Sequence, residues 1–257
     1  MSLLLTGGTG TLGRAVIAAA ASRGLPVRVL TRREAHPSDA GEHVTFVKGD
    51  IVLGDGLGHA LKGVSTVIHA ASDSKRALQV DVHGTTRLVA AAREAGVAHF
   101  IYVSIVGIDR IPYPYYRAKL EAETIVQRSG VPYSILRATQ FHSFIDWHLG
   151  RAARRPLVMP LPTSMLLQSV AVSEVAERLL RALEEGPRGR LRDYAGPEVM
   201  TIGQAAAIWR EVRGVQKRVL PLPAVGGVLS AFRRGYATAP GGELGTVTWR
   251  QWLESTR

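Results

Sequence analysis

The chain has 257 residues, 46% hydrophobic and 21% charged, which suits one large α/β domain or a domain with a smaller appendage. It has no cysteine, which excludes disulfides, thiolate catalysis and zinc–thiolate sites and points to a reducing cytoplasm. The net charge is +11, but the arginines are scattered, and the densest groups, Arg151/Arg154/Arg155 and Arg188/Arg190/Arg192, lack interleaved aromatics. Neither nucleic acid nor a membrane is therefore expected as a partner. No stretch is apolar for long enough to span a bilayer. Met1 and Ser2 lead straight into the first predicted strand, with no signal peptide. No His/Asp/Glu cluster has metal-ligand spacing, so no metal is expected.

The first element is Leu3–Gly13, LLLTGGTGTLG, in which three apolar residues run into glycines at 7, 10 and 13. Arg14–Ala21 reads as a helix that Gly24 stops. Strand, glycine turn and helix in that order offer a phosphate site. Gly7 permits the turn, Gly10 lets the backbone approach a pyrophosphate, and Gly13 lets the helix pack close to the strand. The helix N-terminus adds unpaired N–H groups and the positive end of its dipole. The spacing is G-x-x-G-x-x-G, a variant of the dinucleotide fingerprint.

Val27–Leu30 is a second strand, followed by Thr31, Arg32 and Arg33 where an NAD enzyme usually carries a carboxylate. Two arginines there suit the 2′-phosphate of NADP(H), with NAD(H) the lesser alternative. Val44–Val47 is a third strand, ending in Lys48-Gly49-Asp50-Ile51. Leu57–Leu61 is a short helix. Thr66–His69 is a fourth strand, followed by small residues, Ala70, Ala71 and Ser72, that leave room for a cofactor. Val80–Ala95 reads as one long helix closed by Gly96. Phe100–Val103 is a fifth strand ending at Ser104, Tyr115–Gln127 a helix, and Tyr133–Leu136 a sixth strand. This alternation predicts an α/β fold with a doubly wound parallel sheet, and ligands at the edge formed by the C-terminal strand ends.

Beyond position 138 the pattern is less regular. Phe141, Phe144 and His148 stand at helical spacing, near His142 and Trp147. Pro156–Pro162 reads as a loop or edge strand. Ser173–Glu185 is a helix capped by Ser173, and Thr201–Gln204 has the capping-box pattern for another helix. Arg218–Leu222 is an edge strand, and Thr248–Leu253 starts a terminal helix with two tryptophans.

Two features at the predicted strand-end edge carry chemistry. Tyr115 and Lys119 lie four apart and share a helix face. The ammonium favours phenolate and so tunes the phenol as a proton donor or acceptor for a carbonyl or alcohol oxygen. A serine hydroxyl at Ser104 would hold the same oxygen.

These motifs together resemble the short-chain dehydrogenase/reductase superfamily, in its atypical NmrA-like and isoflavone-reductase-like NAD(P)-binding subgroup. The resemblance rests on TGGTGTLG, Gly49-Asp50, His69-Ala70-Ala71, Ser104 and Tyr115-x-x-x-Lys119. It extends through GVPYSILRATQF (130–141), VAVSEVA (170–176) and YAGPEVMTIGQAA (194–206). It implies a catalytic triad of Ser104, Tyr115 and Lys119. It implies a cofactor site from Thr6, Gly7, Gly10, Thr11, Leu12, Gly13, Arg32, Arg33, Asp50, Ile51, Ala70, Ala71, Ser72 and Lys119, with Asp50 and Ile51 flanking the adenine and Lys119 on the nicotinamide ribose. Where the family commonly has Arg-Pro beside the nicotinamide, this chain has Arg137-Ala138, and no asparagine near Asp81 matches the usual fourth active-site member.

The expected organisation is an NADP-binding Rossmann domain over 1–137 and a small α+β substrate-binding region over 138–257, parts of which pack back onto the Rossmann sheet. Phe141, His142, Phe144 and Trp147 are the expected substrate contacts. The expected function is NADP-dependent hydride transfer between NADPH and a small carbonyl, quinone or enone. The alternatives are a non-catalytic NADP sensor and a nucleotide-sugar epimerase or dehydratase. The mixed, polar surfaces of the helices at 80–95 and 115–127 predict a monomer or weak homodimer.

Overall fold

The structure is a computed structural model that describes residues 2–33 and 43–256. Met1, expected to lead into the first strand, lies outside them. The chain opens with β1 (Leu3–Thr6), α1 (Thr11–Ala21), β2 (Val27–Thr31), β3 (Val44–Lys48), α2 (Leu57–Leu61) and β4 (Thr66–His69). A π-helical stretch, Leu78–Gly84, runs into α3 (Thr85–Glu94), followed by β5 (His99–Ile105), α4 (Pro114–Arg128), β6 (Tyr133–Ala138) and α5 (His142–Ala153). Then come β7 (Val158–Leu161), β8 (Leu166–Leu167), α6 (Val172–Glu185), β9 (Gly189–Arg190), β10 (Tyr194–Ala195) and β11 (Met200–Thr201). The last elements are α7 (Ile202–Arg213), β12 (Arg218–Pro221), α8 (Gly227–Arg233), β13 (Glu243–Leu244) and α9 (Trp249–Ser255).

The chain divides into two compact units. The first comprises Met1–Ser104, Pro114–Leu136 and Val175–Leu191. Its strands lie in the order β3-β2-β1-β4-β5-β6, with β9 beside β6. β1 pairs in parallel with both β2 and β4, Leu5 facing Val29 on one side and Ile68 on the other. Chain direction across the sheet therefore reverses between β1 and β4, the switch point where parallel sheets open a crevice. Leu3, Leu4 and Leu5 are all buried. Such an unbroken apolar run belongs to a parallel strand with both faces covered, which is why β1 shows no alternation. One face packs on a core that includes Leu4, Leu88, Phe100, Tyr102, Val126 and Ile135.

Two departures from the sequence reading have local causes. The stretch read as one helix from Val80 starts as a π turn over Leu78–Gly84 and becomes α-helical only at Thr85. A π turn keeps the same apolar residues inward, so periodicity does not reveal it. Ser173 lies inside α6 and not at its cap, because the helix begins at Val172.

The second unit comprises Ile105–Tyr113, Arg137–Glu174 and Arg192–Arg257. Its strands are short: β7 with β12 in parallel, β8 with β11 antiparallel, and β10 with β13 in parallel. Helices α5, α7 and α9 bury Leu149, Trp209, Trp249 and Leu253 around Met159 and Leu161. Capping boxes at Thr201–Gln204 and Thr248–Gln251 start α7 and α9. Among the described residues, no helix is long and apolar enough to cross a membrane.

Candidate functional site

A cleft of about 410 Å³ opens in the first unit where four parallel strands end. Its walls are Thr6 and Gly7 after β1, Thr31–Arg33 after β2, Gly49–Val52 after β3 and Ala70–Asp73 after β4. Glycines create this space. A Cβ on Gly7, whose φ is +73°, would lie 2.7 Å from the Ala70 carbonyl, so the β1 turn can reach the end of β4 only without one. A Cβ on Gly13 would lie 2.1 Å from the Gly7 oxygen, which keeps α1 tight against the turn. At Gly10 an added Cβ would meet only the Gly7 oxygen, at 3.2 Å, so its other side is open. Gly10 begins α1 without a side-chain cap, so the helix's first N–H groups have no intrahelical acceptor. An uncapped helix N-terminus beside a glycine turn fits a pyrophosphate.

The other cleft residues divide by chemistry. Arg32 and Arg33 are exposed at one end, a cationic rim for a phosphate. Leu30, Ile51 and Val80 give apolar wall. Asp50 lines the cleft, but its Oδ1 accepts from the Val52 amide at 2.7 Å and so shapes its own loop. Thr11 is exposed at the start of α1, while Leu12 is buried beneath it. Thr6 Oγ1 bonds His69 Nδ1 at 2.6 Å, and His69 Nε2 bonds Thr85 Oγ1 at 2.9 Å. This ties β1 to β4 and to α3. Burial, reinforced by the Lys119 charge, lowers the His69 pKa to about 3, so the imidazole is neutral at physiological pH.

Beside Ala70–Asp73 lies a cluster of polar groups. Tyr115 and Lys119 sit on the first turns of α4, Asp81 in the π turn, Tyr102 and Ser104 on β5. Tyr115 Oη is 2.7 Å from Ser72 Oγ, which donates to Asp81 Oδ1 at 2.6 Å. Lys119 is buried; its Nζ donates to the Val103 carbonyl at 2.7 Å, lies 3.6 Å from Asp81 Oδ1 and stands 4.2 Å from the centre of the Tyr102 ring. Burial holds this ammonium below the usual lysine range, against the raising pull of Asp81 and Glu123. Burial, with the charge of Asp81 next, pushes the Tyr102 phenol well above the usual range. The hydroxyls of Tyr102 and Ser104 are buried with no hydrogen-bond partner among the described residues. An orphaned hydroxyl is costly to bury, and Ser104 stands one residue past the carbonyl held by Lys119.

The structure thus links Tyr115, Lys119 and Ser72 into one network through Asp81, which the sequence reading did not select. The missed signal is a carboxylate between Val80 and Val82 in an inward-facing stretch, since a buried acid needs a partner. The π turn that carries it is a feature often found at functional sites. Among the described residues no group of His, Asp and Glu could hold a metal ion.

In the second unit, Phe144 and Trp147 are exposed on α5 with His148, whose ring contacts both, and the Arg151 guanidinium stands 5.5 Å from the Trp147 ring centre. Phe141 is the N-cap residue of α5 and bridges to Val170. His142 is buried: Nδ1 bonds Ser169 Oγ at 2.8 Å, Nε2 bonds the Val247 carbonyl at 3.1 Å, and its ring lies against Trp249 and Trp252. Both ring nitrogens are engaged within the unit, leaving none for a substrate. Arg137 is buried and pairs with Asp109 at 3.1 Å.

A family model described as NAD(P)H-binding matches residues 7–185. Over 195 residues the chain is 31% identical to photosystem II assembly factor Ycf39 of Trieres chinensis, covering 72% of this chain and 60% of that protein. The chain spans about three-fifths of the length of the first curated relatives it matches. Over 217 residues it is 31% identical to (4-alkanoyl-5-oxo-2,5-dihydrofuran-3-yl)methyl phosphate reductase of Streptomyces griseus subsp. griseus, covering 82% of this chain and 74% of that one. A nucleoside-diphosphate-sugar epimerase from Staphylococcus aureus superposes with TM-score 0.79 at 19% identity, over 99% of this chain and 100% of the other, and so shares the fold.

Proposed function

Because the chain belongs to the NAD(P)H-binding family, we propose that it is an NADP-dependent oxidoreductase of the short-chain type, acting on a small carbonyl, quinone or enone. The observation that carries this reading is the Tyr115 phenol, joined through Ser72 and Asp81 to a buried lysine at the edge of the cleft. A cofactor-binding protein without chemistry has no use for a phenol linked in this way to a buried carboxylate and lysine. The glycine turn would hold the pyrophosphate, and Arg32 and Arg33 the 2′-phosphate, with NADH the weaker alternative. NADPH when bound supplies the hydride. Tyr115 gives its proton to the substrate oxygen, which the Ser104 hydroxyl positions. Lys119 is the proposed charged partner of that network and would hold the ribose. On the second unit, Phe144 and Trp147 offer exposed aromatic surface, the proposed contacts of an apolar substrate.

The test is NADPH oxidation against a panel of quinones, aldehydes, ketones and enones. Reduction of at least one, lost in Tyr115→Phe with NADPH affinity unchanged, supports the reading; no reduction of any, with Tyr115→Phe silent, sinks it. A second reading, a non-catalytic cofactor sensor, is favoured by the likeness to an assembly factor. It predicts instead that NADPH alters binding to a protein partner. We also propose a monomer or weak dimer, since Arg87, Arg93, Glu94, Glu121 and Arg128 keep α3 and α4 polar. A tight tetramer by light scattering at micromolar concentration would refute that.

A further inference from the structure

The network around Tyr115 has a direction. Asp81 faces the Lys119 ammonium and accepts on both oxygens, Oδ1 from Ser72 at 2.6 Å and Oδ2 from the Asp73 amide at 3.2 Å. A carboxylate only accepts hydrogen bonds, so the Ser72 hydrogen is committed to Asp81. The Ser72 oxygen therefore receives the Tyr115 hydrogen across 2.7 Å. Asp81 is fully buried, whereas Ser72 is exposed to solvent. The chain of groups thus runs from a half-buried phenol to a hydroxyl in contact with water, with a fixed anion holding that hydroxyl in place.

We propose that Ser72 is the proton gate of Tyr115, the hydroxyl that resupplies the phenol from solvent, with Asp81 as the positioning residue that aims it. This rests on the reading of Tyr115 as the proton donor. In one reductive turnover Tyr115 gives its proton to the substrate oxygen and is left as a phenolate. The Ser72 O–H swings from Asp81 to the phenolate and passes its proton across, as Ser72 takes one proton from solvent on its exposed side. One proton leaves solvent and one reaches the substrate; Ser72 and Asp81 end as they began. In the oxidative direction the same transfers run in reverse.

Among the described residues, the charged and titratable groups around this network are Tyr116, whose ring centre is 5.9 Å from that of Tyr115, Lys119 and Glu123 on α4, Asp81 in the π turn, Asp73 in the loop after β4, and Tyr102 on β5 with His69 on β4 beside it. None is removed by Ser72→Ala, so a change in the phenol's titration on that substitution reports the lost hydroxyl. The experiment is a tyrosinate absorbance titration of the protein saturated with NADP⁺. Subtracting the same titration of Tyr115→Phe isolates this one phenol. Ser72→Ala is expected to raise the phenol's pKa by about one unit, because the phenolate loses a donor. It should also move the pH profile of turnover by the same amount. Ser72→Thr keeps the hydroxyl and should restore both to within about 0.3 units. An unchanged Tyr115 titration in Ser72→Ala overturns the gate, provided NADP⁺ binding shows the variant folded. If Tyr115→Phe abolishes turnover while Ser72→Ala shifts nothing, the gate alone fails. If Tyr115→Phe is silent in turnover, the proton-donor reading fails and takes the gate with it.

Discussion

The polar groups beside the cleft and the buried rings of the second unit are partnered differently, although among the described residues the second unit too keeps buried atoms without a partner, Thr139 Oγ1 and Glu174 Oε2. In the second, the buried rings are closed off: His142 has both nitrogens bonded, the Trp249 indole donates to the Ala205 carbonyl at 3.0 Å, and that of Trp209 to Asp146 at 2.7 Å. Those bonds hold α5, α7 and α9 in place and offer nothing to a ligand. In the first, the buried groups beside the cleft are charged and linked, and two hydroxyls are left orphaned. Satisfied polar groups stabilise a fold, whereas an unsatisfied one is costly to bury and calls for an explanation.

The contrast breaks if substitutions in the two units have the same consequences. The largest effect should come from Tyr115→Phe, which lowers turnover by roughly 10²–10⁴-fold, the usual worth of a positioned acid, with cofactor affinity unchanged. Trp147→Ala in the second unit should instead raise KM and spare kcat. Steady-state NADPH oxidation separates the two.

Next is Asp81→Ala. It strands the buried Lys119 ammonium, and breaking a buried pair costs about 3–5 kcal/mol. His142→Ala removes two hydrogen bonds and should cost about 1–3 kcal/mol. Urea unfolding of both variants checks the order; equal losses would erase the distinction.

Acid should weaken the first unit through His69 and His99, both buried and held neutral by burial, to about 3 and about 4 respectively. In the unfolded chain they titrate near 6.5. As pH falls below that value the unfolded state takes up protons and the folded state does not. Stability is therefore full above about pH 6.5 and lost on the way down, by about 2 kcal/mol per histidine at pH 5. Unfolding of the protein and of His69→Gln at pH 7 and pH 5 should show a smaller acid loss in the variant.

Replacing Arg32 and Arg33 together by alanine should remove a preference for NADPH over NADH of about 10-fold or more, since a charge-assisted bond is worth roughly 1.5–3 kcal/mol. Equal affinities for the two cofactors in the unmodified protein would exclude the clamp. The smallest effect is expected in the second unit at Leu157, exposed and with φ of +65°. Leu157→Gly should raise stability by about 1 kcal/mol by relieving the left-handed conformation, with turnover unchanged.

The parallel sheet, its strand-end cleft and the Tyr115–Lys119 helix face were legible in the sequence because each is written within a few residues. An apolar run ending in glycines makes a strand and its turn, and a four-residue spacing makes a shared face. Ser104 was legible as the residue that ends the fifth strand, and family resemblance grouped it with Tyr115 and Lys119. What tertiary structure alone decided lies across long separations. Asp81 meets Lys119 38 residues away and Ser72 meets Tyr115 43 residues away, and no periodicity encodes such pairings. The π turn that carries Asp81 leaves the apolar pattern of a plain helix. His142 looks like a ligand beside aromatics until Val247, 105 residues on, takes its second nitrogen. Local sequence sets backbone conformation and which face is apolar. Which polar groups end up satisfied, and which are left to do chemistry, depends on what packs against them.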